Sequence, residues 1–483
     1  MKAIAIDFGT SNCAAAFVHG GEPTLVELEL DSLLLPSVLW VPRAPVRDVV
    51  VAESEVERVI ALLRQAQVGQ ARSVDPELVR LNDASLRKHA WNTVLREAMR
   101  DAIDESMAED LSARLIRSSD VLLGSEAVRM HREDSAAGFL VKSPKNFLAV
   151  ELRPEQTELF VAITAVFLRH LKVTAEKALG ARADFVVLGR PVKYHGTGTY
   201  EPDALDIMRR AAAEAGIENF VFEYEPIAAA VAYEQQLTTN KTVLVLDAGG
   251  GTTDCTMMRL GPDRHLGVDR TPDILATSGE RLGGTDLDVG FAKQFFGPIF
   301  GIGTYFKSGR SVPKGGILDA LTITDIPAQT RFYGRAMTAE LGNYLMDAVE
   351  REPIERLIEL RAKKFGMQVN RSAEYGKIAL SEQDQVTVAL DYFTHPIEVS
   401  VTREALERNM DRYMQKTMAL MKQVCRQAQE LPDEIFITGG TSKIPLVTRI
   451  LSEQFPGIPI VSGDNFGSVA KGLALRAAVI AGA

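Results

Sequence analysis

Short apolar runs that end at a single carboxylate give this chain its most regular pattern. Residues 243–246 read VLVL and lead into Asp247, after which come three glycines, two threonines and Asp254. The length and the valine and leucine content of this run are typical of a strand buried on both faces. A similar run at residues 3–6 leads into Asp7 and then into glycine and hydroxyl residues. The pattern predicts two buried strands, each followed by a tight turn.

The two stretches share one plan. DFGTSNC at residues 7–13 and DAGGGTTDC at residues 247–255 both pass from a carboxylate through a turn to a cysteine, the second being two residues longer. Both continue into apolar residues, AAAFV and TMMRL, that predict the second strand of a hairpin. Copies about 240 residues apart are too widely spaced for a solenoid. They predict two similar domains that face each other across a cleft.

The turn residues indicate which ligand the cleft holds. Glycines let backbone N–H groups come close to a ligand, and consecutive N–H groups form a concavity that attracts phosphate. A carboxylate at the end of the strand repels phosphate unless a cation lies between them. The combination predicts phosphate together with magnesium, held largely through water. An ordinary glycine turn after a strand is the alternative, and the second copy of the motif argues against it.

The segments around these loops alternate between helical and strand patterns. Residues 155–179 predict an amphipathic helix, residues 184–192 a strand, residues 203–215 a helix, and FVFEY before Glu225 another strand. Pro226 suits the first turn of the alanine-rich helix that follows. This order predicts a layered α/β domain.

Residues 43–132 have helical spacing and no obvious chemistry. Val56, Val59, Ile60 and Leu63 recur on one helical face, and residues 84–107 form a second helical pattern. We interpret this region as an all-helical insertion.

Three later stretches carry polar residues at positions suited to a ligand. Gly283 and Gly284 precede Thr285, which can cap a helix and leave N–H groups available to an anion. Residues 371–381 predict a helix with Glu374, Lys377 and Ser381 on one face, and an intrahelical ion pair is the simpler explanation of that face. Residues 434–445, EIFITGGTSKIP, predict a strand, a glycine turn and a helix start.

Composition excludes several classes of protein. The 483 residues are 46% hydrophobic and carry a net charge of −10, without a basic run, which argues against nucleic-acid binding. No window of about 18 apolar residues predicts a membrane span, and no signal peptide precedes the first strand. Three widely separated cysteines lack metal-ligand spacing and indicate a reducing compartment. We expect a cytoplasmic protein that binds neither nucleic acid nor membrane.

These pieces, in this order, resemble the nucleotide-binding domain of the heat shock protein 70 (Hsp70) chaperones, within the actin/hexokinase-like ATPase superfamily. The matching elements are IDFGTSN, FLVK, EYEPIAAAVAY, LDAGGGTTD, SGERLGGTDLD, EYGKIALS and ITGGTSKIP. EYEPIAAAVAY and EYGKIALS discriminate best, since sugar kinases and actins share only the phosphate loops. More narrowly, the chain resembles the short bacterial chaperone-like proteins related to YegD.

The resemblance implies an α/β fold with two actin-like lobes, which are duplicated ribonuclease H-like domains facing a nucleotide cleft. Lobe I would comprise residues 1–239 and 463–483, with a helical insertion at about 43–138. Lobe II would comprise residues 240–462, with an insertion at about 289–395. The chaperones continue into a peptide-binding domain, and this sequence stops in the last helix of the ATPase, so we expect no substrate-binding domain.

The resemblance also implies a site for ATP or ADP with Mg²⁺. Asp7 and Asp247 would hold the metal through water. The phosphates would lie between Gly9, Thr10, Ser11 and Asn12 on one side and Gly249, Gly250, Gly251 and Thr252 on the other. The adenosine would contact Glu374, Lys377, Ser381, Gly439, Gly440, Thr441 and Lys443.

Catalytic roles follow from the same resemblance. Lys142 matches the family's catalytic lysine, which stabilises charge on the transferred phosphoryl group, and Glu225 matches the glutamate that orients water near the metal. Asp247 would accept the proton of the attacking water, with Thr252 and Asp254 assisting.

Two departures from the family pattern concern the adenosine end. Ile378 and Lys443 stand where the family usually has arginines. The loss of a guanidinium stacked on adenine removes a contact worth about 0.5–2 kcal/mol, so we expect either about 2- to 30-fold weaker nucleotide affinity or looser selectivity for the base.

We therefore expect an ATP-binding, slowly ATP-hydrolysing, chaperone-like switch protein with an unidentified protein partner or client. A small-molecule or polyphosphate kinase or phosphatase on the same fold is one alternative. A scaffold that binds nucleotide without hydrolysing it is another.

Overall fold

The computed structural model describes residues 1–42, 53–70, 86–87, 90–91, 94, 121–133, 138–192, 194, 201–265, 267–463 and 467–482. Most of the predicted helical pattern at residues 84–107 lies outside these described residues. The strands are β1 (Ala3–Asp7), β2 (Asn12–His19), β3 (Glu22–Leu25), β4 (Leu35–Pro36), β5 (Val38–Pro42), β6 (Leu122–Leu123), β7 (Gly138–Lys142), β8 (Phe185–Arg190), β9 (Phe220–Tyr224), β10 (Lys241–Ala248), β11 (Thr253–Leu260), β12 (Ile274–Glu280), β13 (Gln385–Leu390), β14 (Ile397–Thr402), β15 (Glu434–Thr438) and β16 (Ile460–Ser462).

Helices cover the faces of the sheets and form most of the insertions. They are α1 (Glu53–Gln70), α2 (Gly124–Glu133), α3 (Pro154–Leu179), α4 (Glu201–Glu214), α5 (Glu225–Glu234), α6 (Gly284–Phe291), α7 (Gly315–Leu321), α8 (Ile326–Tyr333), α9 (Arg335–Asp347), α10 (Glu352–Ala362), α11 (Gly366–Glu382), α12 (Arg403–Asn409), α13 (Asp411–Ala428), α14 (Pro445–Gln454) and α15 (Ser468–Ala481). Short 3₁₀ turns lie at Pro144–Phe147 and Gly440–Lys443.

Two sheets with the same topology form the centres of two lobes. The first has the order β3-β2-β1-β8-β9, with β4 added beside β2, and the second has the order β12-β11-β10-β15-β16. In each sheet three antiparallel strands are followed by two strands parallel to the central one. The predicted duplication, with two α/β lobes of the actin-like type, is confirmed.

Alternation along the strands places each face against a different layer. In β1, Ile4 and Ile6 pack with α3 and α4, whereas Ala5 packs with residues of α15 such as Leu473. In β10, Leu244 and Leu246 face the large core of the second lobe, and Val243 and Val245 face α5. Both strands are buried on both faces, as their apolar runs predict.

Helices α5 and α15 pack closely between the two sheets. Ala228 of α5 belongs to the core of the first lobe, and Ala229 and Ala230 belong to a cluster with strands of the second. A Cβ at Gly472 of α15 would lie 1.7 Å from the carbonyl oxygen of Ala228, so only glycine permits this approach. Small residues therefore join the lobes at the base of the cleft.

The two predicted hairpins form, but their turns have equal lengths. Asp7 pairs with Ala14, and Asp247 pairs with Asp254, so each carboxylate faces the residue seven positions later. The prediction of a second turn two residues longer is wrong, because it aligned Cys13 with Cys255. In the structure Cys255 pairs with Leu246, and the residue at the matching position of the first hairpin is Ala15.

Residues 292–362 form a packed region of short helices and turns. The chain passes through π- and 3₁₀-helical turns into α7, α8, α9 and α10, and Phe296, Phe300 and Phe332 are fully buried. Their aromatic area supplies a core that glycine-rich sequence patterns do not reveal. Within the described residues, no helix combines the length and the apolar character needed to cross a bilayer.

Candidate functional site

A cavity of about 710 Å³ lies between the two hairpin turns. The turns approach each other so closely that only one of them can carry side chains at the contact. A Cβ at Gly250 would lie 2.1 Å from Ser11 Oγ, and a Cβ at Gly251 would lie 2.6 Å from Thr10 Oγ1. Contacts this short are not tolerated between real atoms, so the glycines let the hydroxyl-bearing turn and the bare turn meet.

Carboxylates and one ammonium group form the floor of the cavity. Asp7 is the last residue of β1, Asp247 is the second-last residue of β10, and Glu225 begins α5. The Lys145 ammonium, carried by the 3₁₀ turn after β7, donates a hydrogen bond to Glu225 Oε1. The side chain of Lys145 is 5% exposed, so the pair is buried.

Burial and crowding change how these groups titrate. Burial raises the pKa of Asp7 to about 8; Glu225 and Asp247 add to the rise, and Lys145 opposes it. Burial also raises the pKa of Asp247 to about 8, with Glu225 and Asp254 as further causes. Burial alone would lower the pKa of Lys145, but Glu225 and Asp7 raise it above its usual value, so the ammonium stays charged.

The floor therefore carries more carboxylates than cations, and a divalent ion would fit there. One ammonium faces three carboxylates, and a cation placed among them would relieve their mutual repulsion. Within the described residues no three acidic, histidine or cysteine side chains converge as a direct ligand set. The donor set suits a metal that keeps much of its water, as magnesium does.

A second layer supports the glycine turn, and most of its residues lie outside the cavity lining. Asp254 is fully buried, accepts a hydrogen bond from Val192 N at 3.2 Å, and leaves Oδ2 without a partner among the described residues. Burial raises the pKa of Asp254 to about 7, with Glu225 as the next cause. Gly284 N and Thr285 N donate to Gly249 O and Gly250 O at 2.9 and 2.8 Å, which fixes the turn.

The other end of the cavity is formed by α11 and by the turn after β15. Lys377 Nζ lies 2.7 Å from Asp288 Oδ1 and donates to Gly284 O at 3.1 Å. Thr441 Oγ1 donates to Gly249 O at 3.2 Å. Gly439 has φ +85°, and a Cβ there would lie 2.4 Å from Ala248 O, so glycine is required. Ile378 is 56% exposed and lines this end.

Most of the residues predicted from the sequence meet at this cavity. Those that line it are Asp7, Gly9, Thr10, Ser11, Asn12, Glu225, Asp247, Gly249, Gly250, Gly251, Thr252, Gly284, Glu374, Lys377, Ser381, Gly439, Gly440, Thr441 and Lys443. Those that do not are Lys142, Asp254, Gly283 and Thr285.

Lys142 is the predicted residue whose position differs most from expectation. It is the last residue of β7, and its side chain points away from the floor of the cavity. Its Nζ instead lies 2.9 Å from Glu374 Oε2 and 3.3 Å from Asn370 Oδ1. Lys145 occupies the place among the carboxylates that the sequence assigned to Lys142. The physical reason is the turn that begins at Pro144, which carries the chain out of the strand and into the cleft.

Lys145 and Asp288 are among the polar residues of the cavity that sequence reasoning missed. Lys145 was overlooked because Lys142 follows an apolar run and Lys145 does not; Pro144, as a signal for a new turn, could have identified it. Asp288 was overlooked because only the packing of α6 against α11 brings it to Lys377. Both residues depend on contacts between distant parts of the chain.

Comparison with known proteins agrees with this geometry. The family model described as "Hsp70 protein" matches residues 122–298 and 314–483, more than half of the chain. The chain is 25% identical over 500 residues to "Chaperone protein DnaK" of Thermus thermophilus, and the match covers 100% of this chain and 61% of that relative. It is 24% identical over 494 residues to "Chaperone protein DnaK" of Deinococcus deserti, covering 60% of that protein. The chain thus spans about three fifths of the length of these relatives.

Proposed function

The chain belongs to the Hsp70 family, and on that premise we propose that it binds ATP and ADP with Mg²⁺ between its lobes and hydrolyses ATP slowly. The observation that carries this proposal is the pair of facing turns with strand-end carboxylates and a buried ammonium below them. Backbone N–H groups of a glycine turn suit phosphate oxygens, and the carboxylates suit a hydrated divalent cation.

Each group on the floor has a proposed role. The turns at residues 8–11 and 249–252 hold the phosphates, and Asp7 and Asp247 hold magnesium through water. A magnesium ion bound there would neutralise charge on the phosphates. Lys145, rather than Lys142, stabilises charge on the transferred group, since a fixed ammonium in a buried site acts strongly on developing charge.

The remaining roles concern water and the adenosine. Glu225 holds Lys145 in place and orients water near the metal. Asp247 accepts the proton of the attacking water, with Thr252 and the buried Asp254 assisting. Residues of α11 and of the turn after β15, among them Lys377 and Thr441, hold the adenosine.

The proposal extends to domain organisation and to biological role. Residues 1–239 with 463–483 form lobe I and residues 240–462 form lobe II; the packing of α15 on β1 and β8 supports this division. Nucleotide state sets the relative position of the lobes, and a protein client or partner responds to it, in keeping with the chaperone relatives. Three unpaired cysteines are consistent with the cytoplasm.

The alternative kinase function receives no comparable support. A second cavity between the lobes lies beside the phosphate turns, where an acceptor would bind, but its described lining residues include no aspartate or glutamate. A hydroxyl acceptor would therefore find no carboxylate base among them.

Two matched lysine variants test the proposal. We expect Lys145→Met to lower the rate of single-turnover ATP hydrolysis by about 100-fold, because the preorganised positive charge is removed. We expect Lys142→Met to change that rate by less than about threefold, since its ammonium pairs with Glu374 away from the floor. Thermal shifts with Mg·ADP verify that both variants fold and bind nucleotide. A larger loss in Lys142→Met than in Lys145→Met would contradict the assignment.

A further inference from the structure

Ser37 is the single residue between β4 and β5, and it is fully buried. β4 lies beside β2 in the sheet of the first lobe, whereas β5 belongs to a three-stranded sheet with the order β6-β5-β7. β2 follows the first phosphate turn, and β7 leads into the 3₁₀ turn that carries Lys145. The chain therefore crosses at Ser37 from the segment that contains the first turn to the segment that contains Lys145.

Two hydrogen bonds attach Ser37 to the first turn, residues 8–11. Its Oγ donates to Gly9 O at 2.7 Å, and its backbone N–H donates to Ser11 O at 2.9 Å. Cys13 Sγ lies 3.2 Å from the same Oγ and can donate to it, since the hydroxyl proton is used by Gly9 O. The carbonyl oxygens on both sides of Thr10 are thus held by one residue that does not line the cavity.

These bonds fix the direction in which the amide of Thr10 points. A trans peptide unit is planar, so its C=O and N–H point in opposite directions, and the described residues contain no cis peptide bond. Because Gly9 O faces Ser37, the N–H of Thr10 faces away from it. That N–H has no hydrogen-bond partner among the described residues, although Thr10 is only 9% exposed and lines the cavity. A buried N–H without a partner is free to bind a ligand oxygen.

A third hydrogen bond attaches Ser37 to the turn that carries Lys145. Ser143 N donates to Ser37 O at 2.7 Å, which extends the ladder between β5 and β7 by one step. Ser143 then takes a left-handed conformation, with φ 55° and ψ 53°, directly before Pro144. That conformation is unfavourable both for a non-glycine residue and for a residue before proline, so surrounding contacts must maintain it. The bond to Ser37 is one such contact, and it fixes the point at which the chain turns into the cleft.

We propose that Ser37 is a positioning residue for ATP hydrolysis. Through Gly9 it directs the N–H of Thr10 toward a phosphate oxygen. Through Ser143 it sets the position of Lys145 relative to that N–H. This role rests on the proposed function, because the two groups act together only on a phosphoryl group held between the turns. Groups that stabilise developing charge must be in place before the reaction, so loosening their relative position slows hydrolysis more than it weakens binding.

Ser37→Ala tests this role because it removes the bond to Gly9 O and keeps both backbone bonds. We expect the rate of single-turnover hydrolysis at saturating ATP to fall about tenfold, while the Kd for Mg·ADP rises less than about threefold. Thr304→Val is the matched control, since the hydroxyl of Thr304 is also buried and donates to a glycine carbonyl, Gly301 O, at 2.8 Å. It should lower the Tm about as much as Ser37→Ala does and leave the rate unchanged.

A double-mutant cycle with Lys145→Met tests whether Ser37 acts through the lysine. In the Lys145→Met background Ser37→Ala should slow hydrolysis by less than about threefold, because the ammonium that Ser37 positions is absent. A loss of about tenfold in both backgrounds, or a wild-type rate in Ser37→Ala, would overturn the proposed role.

The same rates separate this role from the proposed function. A wild-type rate in Lys145→Met would count against the proposed function, and the role of Ser37 would fail with it. A slow Lys145→Met together with an unaffected Ser37→Ala would overturn the role of Ser37 alone.

Discussion

In both lobes a hairpin turn reaches the cleft: β1 leads into β2 through residues 8–11, and β10 leads into β11 through residues 249–252. The registers make Asp7 equivalent to Asp247. The two turns differ in what they present, since the first has Gly9-Thr10-Ser11 where the second has Gly249-Gly250-Gly251. One turn therefore offers hydroxyls and the other offers bare backbone.

This difference lets two copies of one motif meet face to face. If both turns carried hydroxyl side chains, Ser11 and a side chain at position 250 would occupy the same space, because a Cβ at Gly250 would lie 2.1 Å from Ser11 Oγ. The second hairpin also carries Asp254 where the first has Ala14, so only the second hairpin adds a further carboxylate behind the floor. The duplicated hairpins supply the backbone of the site. The residues that differ at matching positions allow the two turns to come together around a ligand.

The largest effect is expected when the bare turn is given a side chain. Gly250→Ala forces a Cβ against Ser11 Oγ, so one turn must shift, and we expect Mg·ADP affinity to fall about tenfold or more. The double variant Ser11→Gly/Gly250→Ala restores the space and should recover part of this loss. Isothermal titration calorimetry measures both.

The control for that comparison is Gly342→Ala, where the added Cβ meets nothing within 4 Å. It should leave the affinity unchanged. If the double variant binds Mg·ADP no better than Gly250→Ala alone, contact between the two turns is not what determines affinity.

An intermediate effect is expected from the two strand-end carboxylates. The pKa of both Asp7 and Asp247 is raised to about 8 from an unfolded value near 4. The folded state therefore binds more protons between these values, and the stability that the carboxyls contribute is full below about pH 4 and lost as the pH rises to about 8. We expect Asp7→Asn and Asp247→Asn to raise the Tm of the nucleotide-free protein by a few degrees, more at pH 8 than at pH 5.

Differential scanning calorimetry at the two pH values tests this, with the exposed Asp391→Asn as control. Both cleft variants should also lose the stabilisation that Mg·ADP gives the native protein. A Tm gain that is the same at pH 5 and pH 8 would show that electrostatic repulsion is not its cause.

The smallest effect is expected at the adenosine end of the cavity, which lies away from the contact between the phosphate turns. Ile378→Arg places a guanidinium on an exposed position that lines the cavity, and affinity for ATP should rise about 2- to 5-fold if it stacks on the base, because cation–π contacts at exposed sites contribute about 0.5–1 kcal/mol. Tyr375→Arg adds the same charge to the same helix, outside the lining, and should have no effect. Equal gains in both variants would indicate general electrostatic attraction rather than stacking.

The secondary structure was largely predictable from the sequence. The helix expected at residues 155–179 is Pro154–Leu179, and the strand expected at 184–192 is Phe185–Arg190. These elements have long, regular apolar patterns, and the period of such a pattern indicates whether a segment is a helix or a strand. Residues 292–362 were less predictable, because Phe296 and Phe300 are buried by helices distant in the chain.

The sequence predicted the two phosphate turns of the site, but it did not predict that Lys145 is the lysine among the carboxylates. The sequence identified Asp7, Asp247 and the three glycines 249–251, because a buried strand, a carboxylate and a glycine turn are neighbours along the chain. The equal length of the two turns was missed because hairpin register is set by pairing across strands, and the cysteines gave a false alignment.

By itself the sequence determined that two copies of a strand–carboxylate–turn motif exist and that they suit phosphate. Neighbouring residues fix such local structure, since strand length, turn residues and apolar pattern all act within about ten positions. Only the tertiary structure decided that Lys145 joins the carboxylates while Lys142 pairs with Glu374. The two lysines are three positions apart, and their partners lie 232 positions from Lys142 and 80 positions from Lys145 in the chain. Burial makes that choice of partner consequential, because an ammonium acts more strongly on developing charge where water is excluded.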